Sequence, residues 1–124
     1  MKLQTDAGIV QPDFSSLRGR VAIVTGAGQG IGKVFAKAFA ECGATPVIAE
    51  LDAKKGEAVA REIEDGGGQA FAVATDVASP DSIASMVEAV DRRYGRLDIL
   101  VNNAGIFSTL EMRPFDQIPL DEWE

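Results

Sequence analysis

The residues of this sequence that are best suited to chemistry form a glycine-rich segment near its start, Thr25-Gly26-Ala27-Gly28-Gln29-Gly30-Ile31-Gly32. Residues without side chains let a backbone turn tightly and approach a ligand closely, and the first N–H groups of a helix attract negative charge. A short apolar run precedes the segment and a helical pattern follows it. We therefore expect the segment to bind a pyrophosphate at the N-terminus of a helix.

Two common phosphate-binding motifs do not fit this segment. A Walker A loop requires a glycine five positions before its Gly-Lys pair and a Ser or Thr after it, whereas Ala27 and Val34 flank the pair at 32–33. ATP hydrolysis is therefore disfavoured. The dinucleotide pattern G-x-G-x-x-G also fails, because Ile31 and Lys33 stand where its last glycine is required. The spacing that fits is T-G-x-x-x-G-x-G.

Glu50 is the second candidate, since it directly follows the second apolar run, 18 residues beyond Gly32. An acidic side chain at about this spacing hydrogen-bonds the ribose hydroxyls of a bound dinucleotide. The same carboxylate repels a 2′-phosphate, and neither the glycine segment nor the residues directly after the strand supply an Arg or Lys, so NAD is favoured over NADP. The alternative for Glu50 is a solvated charge at a strand end, and Asp52 is better explained as a helix cap.

Short β-branched runs alternate with longer helical patterns from Val21 onward, which is typical of βαβ units and a parallel sheet. The strands are predicted at residues 21–24, 45–49, 70–74 and 97–101. The helix ends are predicted from N-caps at Asp52 and Ser79 and from glycines at Gly43, Gly66, Gly67, Gly68 and Gly95. A further helix is expected to begin at Asp121.

Apolar side chains recur at helical spacing in all three predicted helices and are expected to face the core. In the first helix they are Ile31, Val34, Phe35, Ala38, Phe39 and Cys42; in the third they are Ile83, Met86, Val87, Val90 and Tyr94. The second, weaker helix carries Val59 and Ile63. Cys42 is the single cysteine and is expected to be a buried small hydrophobe rather than a redox group.

The fold class that follows is α/β, a Rossmann-type doubly wound parallel sheet of four strands in the order 3-2-1-4. The first two helices should cover one face and the third helix the other, because right-handed crossovers change side when the chain reverses direction. Strand four then forms an unpaired, mostly apolar edge. Residues 1–18 lack periodicity and are predicted to be an N-terminal arm, and residues 19–124 the dinucleotide-binding domain.

The composition excludes several classes of protein. A formal net charge of −7 with no histidine disfavours binding to the phosphate backbone of DNA or RNA. Hydrophobic residues make up 46% and charged residues 25% of the 124 residues, as in ordinary globular domains. No apolar stretch has the length of a membrane span and the first twenty residues do not resemble a leader, so no membrane partner and a cytoplasmic location are expected.

Four motifs in this order, each at a predicted strand end, closely resemble those of the classical short-chain dehydrogenases/reductases. They are TGAGQGIG, Glu50, Thr75-Asp76-Val77 and Asn102-Asn103-Ala104-Gly105. The resemblance covers residues 17–124. It implies that the domain binds NAD and that the chain, as a truncated Rossmann domain, is incomplete at its C-terminus.

The resemblance assigns each motif to one part of a bound dinucleotide. The residues that it assigns to the pyrophosphate are Gly26, Gly30 and Gly32, together with the backbones of Gln29 and Ile31. It implies that Glu50 holds the ribose, that Asp76 hydrogen-bonds the adenine amino group and that Val77 contacts the adenine ring. The residues assigned to the ribose and nicotinamide side are Asn103, Ala104 and Gly105. Asn102 either braces the centre of the sheet or contacts the cofactor.

The chemistry of this family requires a tyrosine with a lysine four residues later, and a serine that orients the substrate carbonyl. The single tyrosine, Tyr94, has Asp98 four residues on, and no lysine follows Lys55. We expect Tyr94 to be a core or helix-end residue and assign no catalytic residue and no metal ligand. Ser108 and Thr109 are candidates for the lining of a substrate pocket.

The function expected from these observations is the NAD-binding half of an oxidoreductase, which transfers hydride between NAD and the hydroxyl or carbonyl group of a small molecule. We expect a homo-oligomer, and expect the isolated chain to be poorly soluble or to associate through strand four and to bind NAD weakly. A non-catalytic NAD-binding or NAD-sensing module is the alternative. An S-adenosylmethionine methyltransferase is disfavoured, because Thr25 stands where an acidic residue is expected and Asn102–Gly105 has no evident use.

Overall fold

The computed structural model describes residues 3–5, 8–10, 12–106 and 109–122. The strands and helices in chain order are β1 (Leu3–Thr5), β2 (Gly8–Val10), β3 (Val21–Thr25), α1 (Gly30–Glu41), β4 (Thr45–Glu50), α2 (Ala53–Asp65), β5 (Phe71–Ala74), α3 (Pro80–Tyr94) and β6 (Ile99–Val101). No helix within this described part combines the length and the apolar character needed to cross a membrane.

Strands β3 to β6 form one parallel sheet in the order β5-β4-β3-β6. Counted along the chain, these four strands have the order 3-2-1-4, so the predicted doubly wound topology is confirmed. Strand β3 is central, because Val24 pairs with Ile48 on one side and with Val101 on the other. All five residues of β3 are buried, as expected for a strand covered on both faces.

The helices cover the two faces of this sheet as the crossover rule predicts. On the face of α1 and α2 the buried core consists of Val24, Ala27, Ala36, Ile48, Val59, Ala60, Ile63 and Ala70. On the face of α3 it consists of Val21, Ile23, Val47, Ala49, Met86 and Val90. Side chains of β3 alternate between the two cores, which fixes the sheet between its helices.

The predicted helix caps are present. The Asp52 carboxylate accepts hydrogen bonds from the backbone N–H groups of Lys54 and Lys55, and the Ser79 hydroxyl accepts one from the N–H of Ser82. Gly95 ends α3 with a left-handed φ of 63°, which costs glycine nothing sterically. These caps fix where α2 and α3 begin relative to the strands that precede them.

The orientation of α1 differs from the prediction. Ile31, Val34 and Phe35 lie on its solvent side and are 69%, 66% and 44% exposed. The buried residues of α1 are instead Gly32 and Ala36. Small side chains let the helix axis come close to the sheet, whereas the spacing of large apolar residues identifies an apolar face without showing what that face contacts.

Of the other residues predicted to lie in the core, some are buried and others are partly exposed. Phe39 packs partly against the core, and Cys42 is half-buried rather than buried. In α3, Met86 is buried, but Ile83 and Val87 are 38% and 47% exposed. Val59 and Ile63 of α2 are buried, as predicted.

Strand β6 begins at Ile99, two residues later than predicted, and Asp98 precedes it with contacts through both its backbone and its side chain. Val21 N–H donates to Asp98 Oδ2 at 2.9 Å, and Asp98 N–H donates to Val21 O at 3.0 Å. Arg20 and Arg96 both form ion pairs with the same carboxylate. Hydrogen bonds from Arg96 and from the Val21 N–H hold the pKa of Asp98 well below its usual range.

The two ends of the chain contain short elements that the sequence did not indicate. Strands β1 and β2 form an antiparallel ribbon within the predicted arm, with Leu3 opposite Val10. Three-residue strands are too short to show an alternating pattern. At the other end, Asp121 lies inside a single 3₁₀ turn, Leu120–Glu122, rather than at the start of an α-helix within the described residues.

Candidate functional site

The glycine loop connects the end of β3 to the start of α1. Gly26 has a left-handed φ of 65°, and its N–H donates to Ala49 O of β4 at 2.8 Å. A Cβ on Gly26 would lie 2.9 Å from the Cα of Ala104. Position 26 therefore requires glycine for two reasons, its backbone conformation and its contact with the loop that follows β6.

The N-terminus of α1 is open to a ligand. Its N-cap residue, Gln29, makes no side-chain cap hydrogen bond, and the first turn contains no acidic residue. The first intrahelical bond recorded there runs from Lys33 N–H to Gln29 O, at 3.2 Å. A Cβ on Gly30 would meet nothing within 4 Å. Gln29, Gly30 and Ile31 line the cavity described below, so the start of α1 borders open space, which is the arrangement that binds phosphate groups.

Gly32 packs closely against the glycine loop and against Asn103. A Cβ at this position would clash with the carbonyl oxygen of Gly26 and would lie 2.6 Å from Nδ2 of Asn103. Gly32 is not among the residues that line the cavity described below. Its place is explained by close packing between the helix, the loop and the segment after β6.

Glu50, at the end of β4, reaches back to the glycine loop. Gly28 N–H donates to Glu50 Oε2 at 2.8 Å, and Asp52 N–H donates to Glu50 Oε1 at 3.2 Å. A Cβ on Gly28 would lie 2.6 Å from Glu50 Cγ, so the loop and the acidic side chain fit together only with glycine there. The carboxylate is fixed rather than freely solvated, and each oxygen retains capacity to accept a further hydrogen bond.

Asp76 follows β5 at the same edge of the sheet. Thr75 N–H donates to Glu50 O at 2.9 Å, so the end of β5 continues the pairing with β4. Asp76 N–H donates to Ser82 Oγ, and Asp76 Oδ1 accepts from Ala78 N–H, both at 2.9 Å. This turn leaves Asp76 and its neighbour Val77 exposed on the cavity side.

Asn103 connects the segment after β6 to the glycine loop. Its N–H donates to Thr25 Oγ1 at 3.0 Å, and its side-chain Nδ2 donates to Thr25 O at 3.1 Å and to Gly26 O at 3.3 Å. Ala104 N–H also donates to Thr25 Oγ1, at 3.0 Å. Asn103 therefore braces the centre of the sheet, while the side chain of Asn102 is exposed.

Sequence reasoning missed the structural importance of Thr25. Thr25 is 5% exposed, and its hydroxyl oxygen accepts hydrogen bonds from the N–H groups of Asn103 and Ala104. The available signal was a hydroxyl residue at the end of a wholly buried strand, since a buried hydroxyl must find partners.

These elements enclose a cavity of about 470 Å³ at the carboxyl edge of the sheet, a size typical of ligand sites. All the predicted cofactor-binding residues line it except Gly32 and Asn102. The lining residues are Gly26, Gln29, Gly30, Ile31, Glu50, Leu51, Thr75, Asp76, Val77, Ala78, Asn103, Ala104, Gly105 and Ile106. The cavity spans the ends of all four parallel strands, including the switch point between β3 and β6 where doubly wound sheets bind ligands.

A positively charged side chain, that of Lys55, contacts the glycine loop, and the sequence did not predict this contact. Lys55, in the first turn of α2, donates from Nζ to Gln29 Oε1 at 2.8 Å. The glycine loop and the residues directly after the strand contain no Arg or Lys, whereas the packing of α2 brings Lys55 to the loop across 26 residues of chain.

The remaining candidates lie elsewhere. The Tyr94 ring packs edge-on against Phe71 with centroids 6.1 Å apart, so Tyr94 is a packing residue at the end of α3. Thr109 is exposed and is not part of the cavity lining, and Ser108 lies outside the described residues. Within the described residues no group of three His, Cys, Asp or Glu side chains is placed to hold a metal ion.

Comparison with known proteins gives a consistent result. The short chain dehydrogenase family matches residues 20–124. The 7alpha-hydroxysteroid dehydrogenase of Escherichia coli (strain K12) is 44% identical over 93 residues, which cover 75% of this chain and 36% of that protein.

Two solved structures share the fold. The 3-ketoacyl-(acyl-carrier-protein) reductase from Brucella melitensis complexed with NADH aligns with a TM-score of 0.75 at 41% identity, covering 86% of this chain and 42% of that one. A metagenomic short-chain oxidoreductase in complex with NADP aligns with a TM-score of 0.75 at 41% identity, covering 88% and 48%. The chain spans less than half the length of these relatives. With the family matching most of its residues, the chain belongs to the short-chain dehydrogenase/reductase family.

Proposed function

We propose that this chain supplies the dinucleotide-binding portion of an NAD-dependent oxidoreductase that acts on the hydroxyl or carbonyl group of a small molecule. The observation that carries the proposal is the convergence of four strand ends on one cavity. A glycine loop that served only as a tight turn has no need of an acidic side chain from the next strand, yet Gly28 and Glu50 are fitted to each other.

The order of the strands gives the order of the contacts. Along the sheet edge from β5 to β6 come Asp76, Glu50, the glycine loop and Asn103. An extended dinucleotide has its adenine, ribose, pyrophosphate and nicotinamide in the same sequence. The proposed contacts are Asp76 and Val77 with adenine, Glu50 with ribose, Gly26 to Ile31 with pyrophosphate, and Asn103 to Gly105 with the nicotinamide side.

The chemistry itself is hydride transfer, which a nicotinamide ring supplies when bound. The residues of this chain bind and orient the cofactor. The backbone N–H groups at the start of α1 neutralise the pyrophosphate, as their open position favours. Glu50 accepts hydrogen bonds from ribose hydroxyls through the lone pairs that Gly28 and Asp52 leave available.

NAD is the proposed cofactor because the carboxylate of Glu50, fixed by the N–H groups of Gly28 and Asp52, would repel a 2′-phosphate on the ribose that it is proposed to hold. Two negative groups at hydrogen-bonding distance repel each other and carry a desolvation cost. Among the similar structures one is complexed with NADH and another with NADP.

The proposal is tested by titrating NADH, NADPH and S-adenosylmethionine into the protein and recording dissociation constants and thermal stabilisation. We expect NADH to bind most tightly and S-adenosylmethionine not to bind. Glu50→Ala should weaken the binding of NADH by about tenfold or more, since it removes charged hydrogen bonds to the ribose. It should also reduce the difference in affinity between NADH and NADPH.

Glu64→Ala is the matched control, because Glu64 is an exposed acid on the same helix as Lys55 and lies outside the cavity. It should leave all three constants unchanged. Equal binding of NADH and NADPH in both the parent protein and Glu50→Ala contradicts the NAD preference. Binding of S-adenosylmethionine without NADH contradicts the proposed function.

A further inference from the structure

Lys55 brings a positive charge to the glycine loop beside the cavity, although it is not itself among the lining residues. Its Nζ contacts a neutral group, the amide oxygen of Gln29, at 2.8 Å. Lys33 and Lys37 of α1, in contrast, both form ion pairs with Glu62. No carboxylate within the described residues lies at ion-pair distance from Lys55. Its charge is therefore not neutralised in this part of the chain.

The backbone next to Lys55 is packed against Glu50. A Cβ on the buried residue Gly56 would lie 3.3 Å from Glu50 Cβ and 3.8 Å from its Cγ. Glu50 in turn accepts a hydrogen bond from Gly28, the residue before Gln29. The first turn of α2 thus packs against the Cβ and Cγ of Glu50. Lys55 in that turn contacts Gln29, which follows the residue hydrogen-bonded to the Glu50 carboxylate. Glu50 and Lys55, which carry opposite charges, therefore contact adjacent residues of the glycine loop, Gly28 and Gln29.

We propose that Lys55 is a second specificity-determining residue for the cofactor and that it binds the 2′-phosphate of NADP. The inference rests on the proposed function, in which Glu50 holds the adenosine ribose. A phosphate on that ribose would be repelled by the carboxylate of Glu50 and attracted by the ammonium of Lys55. Lysine offers three donors on a flexible stem, so Nζ can exchange the Gln29 oxygen for phosphate oxygens without movement of the helix.

The consequence is a site that prefers NAD without excluding NADP. Glu50 and Lys55 act in opposite directions on the 2′-phosphate alone, and Lys55 has no role toward a free 2′-hydroxyl. Removing Lys55 should make the protein more selective for NAD, whereas removing Glu50 should make it less selective. A lysine that merely connected α2 to the glycine loop would affect both cofactors equally.

The test uses two nucleotides that differ only in the 2′-phosphate, adenosine 5′-monophosphate and adenosine 2′,5′-bisphosphate, together with NADH and NADPH. Dissociation constants are measured for the intact protein and for Lys55→Met, Lys55→Arg and Lys54→Met. Lys54 is the matched control, because it is the preceding residue, is exposed and has only its backbone N–H in the cap of α2. Circular dichroism establishes that each variant is folded.

We expect Lys55→Met to weaken the binding of the bisphosphate and of NADPH by about tenfold, the loss of affinity typical of a missing charged hydrogen bond to phosphate. The monophosphate and NADH should change by less than about twofold, and the effect should shrink at high salt. Lys55→Arg should retain most of the bisphosphate affinity, and Lys54→Met should alter nothing.

Equal weakening of all four ligands by Lys55→Met overturns the inference and assigns Lys55 a role in supporting the loop. Unchanged affinities in that variant overturn it as well. In both cases NADH still binds the parent protein and the proposed function stands. If the parent protein binds neither NADH nor the monophosphate, the proposed function fails together with the inference.

Discussion

The hydroxyl of Thr25 is the point at which the cofactor-side loops are joined, and its removal gives the sharpest test of the site's construction. Thr25 Oγ1 accepts hydrogen bonds from the N–H groups of Asn103 and Ala104, each at 3.0 Å, and donates to Val101 O at 3.4 Å. A hydroxyl has one donor and two acceptor lone pairs, so all of its hydrogen-bonding capacity is used.

Thr25→Val keeps the shape of the side chain and removes these bonds. A buried N–H group left without an acceptor costs about 1–3 kcal/mol. Both bonds are only partly buried, so water reaches them to some extent and the lower half of that range applies. The variant should therefore lose about 2–4 kcal/mol of unfolding free energy. Thr25→Ser keeps the hydroxyl and loses one methyl group, which costs about 1 kcal/mol.

Urea unfolding followed by circular dichroism measures both losses. Native-state amide hydrogen exchange adds a local readout, because the amides of Asn103 and Ala104 should exchange faster in Thr25→Val than in Thr25→Ser. NADH affinity should fall with them, since the same segment lines the cavity. A Thr25→Val protein within about 0.5 kcal/mol of the parent, or less affected than Thr25→Ser, refutes this account of the hydroxyl.

The remaining predictions concern pH and close packing. Hydrogen bonds from Arg96 and the Val21 N–H lower the pKa of Asp98, so its stabilisation is present above the unfolded-state pKa of about 4 and is lost as the pH falls below it. Urea midpoints should therefore drop more steeply between pH 5 and pH 3 in the parent than in Asp98→Asn, and parallel slopes count against this. Gly32→Ala places a Cβ 2.6 Å from a side-chain amide nitrogen and against a backbone carbonyl, and should cost about 1–3 kcal/mol or more. Gly67→Ala, with φ of 86° but open space, should cost about 1–2 kcal/mol; calorimetry that ranks Gly67→Ala as the more damaging contradicts the packing argument.

The sequence was sufficient to predict the sheet and most of the residues that line the cavity. Alternating strand and helix patterns predict a parallel sheet, the likeness to the Rossmann fold implies the order 3-2-1-4, and parallel strands bring all their carboxyl ends to one edge. Residues at or just after strand ends, such as Glu50, Asp76 and Asn103, must therefore lie near the glycine loop. Local chemistry was also readable, as in the caps at Asp52 and Ser79, since a cap depends on residues a few positions apart.

The tertiary structure alone decided which surfaces pack and which charges meet. Periodicity shows that α1 has an apolar face, but the approach of its backbone to the sheet was set by Gly32 and Ala36, which leaves Ile31 exposed. The contact of Lys55 with Gln29 depends on how α2 lies across the end of β4. Such contacts join residues that are distant in sequence and have no local pattern, because they arise only when independently folded elements are packed together.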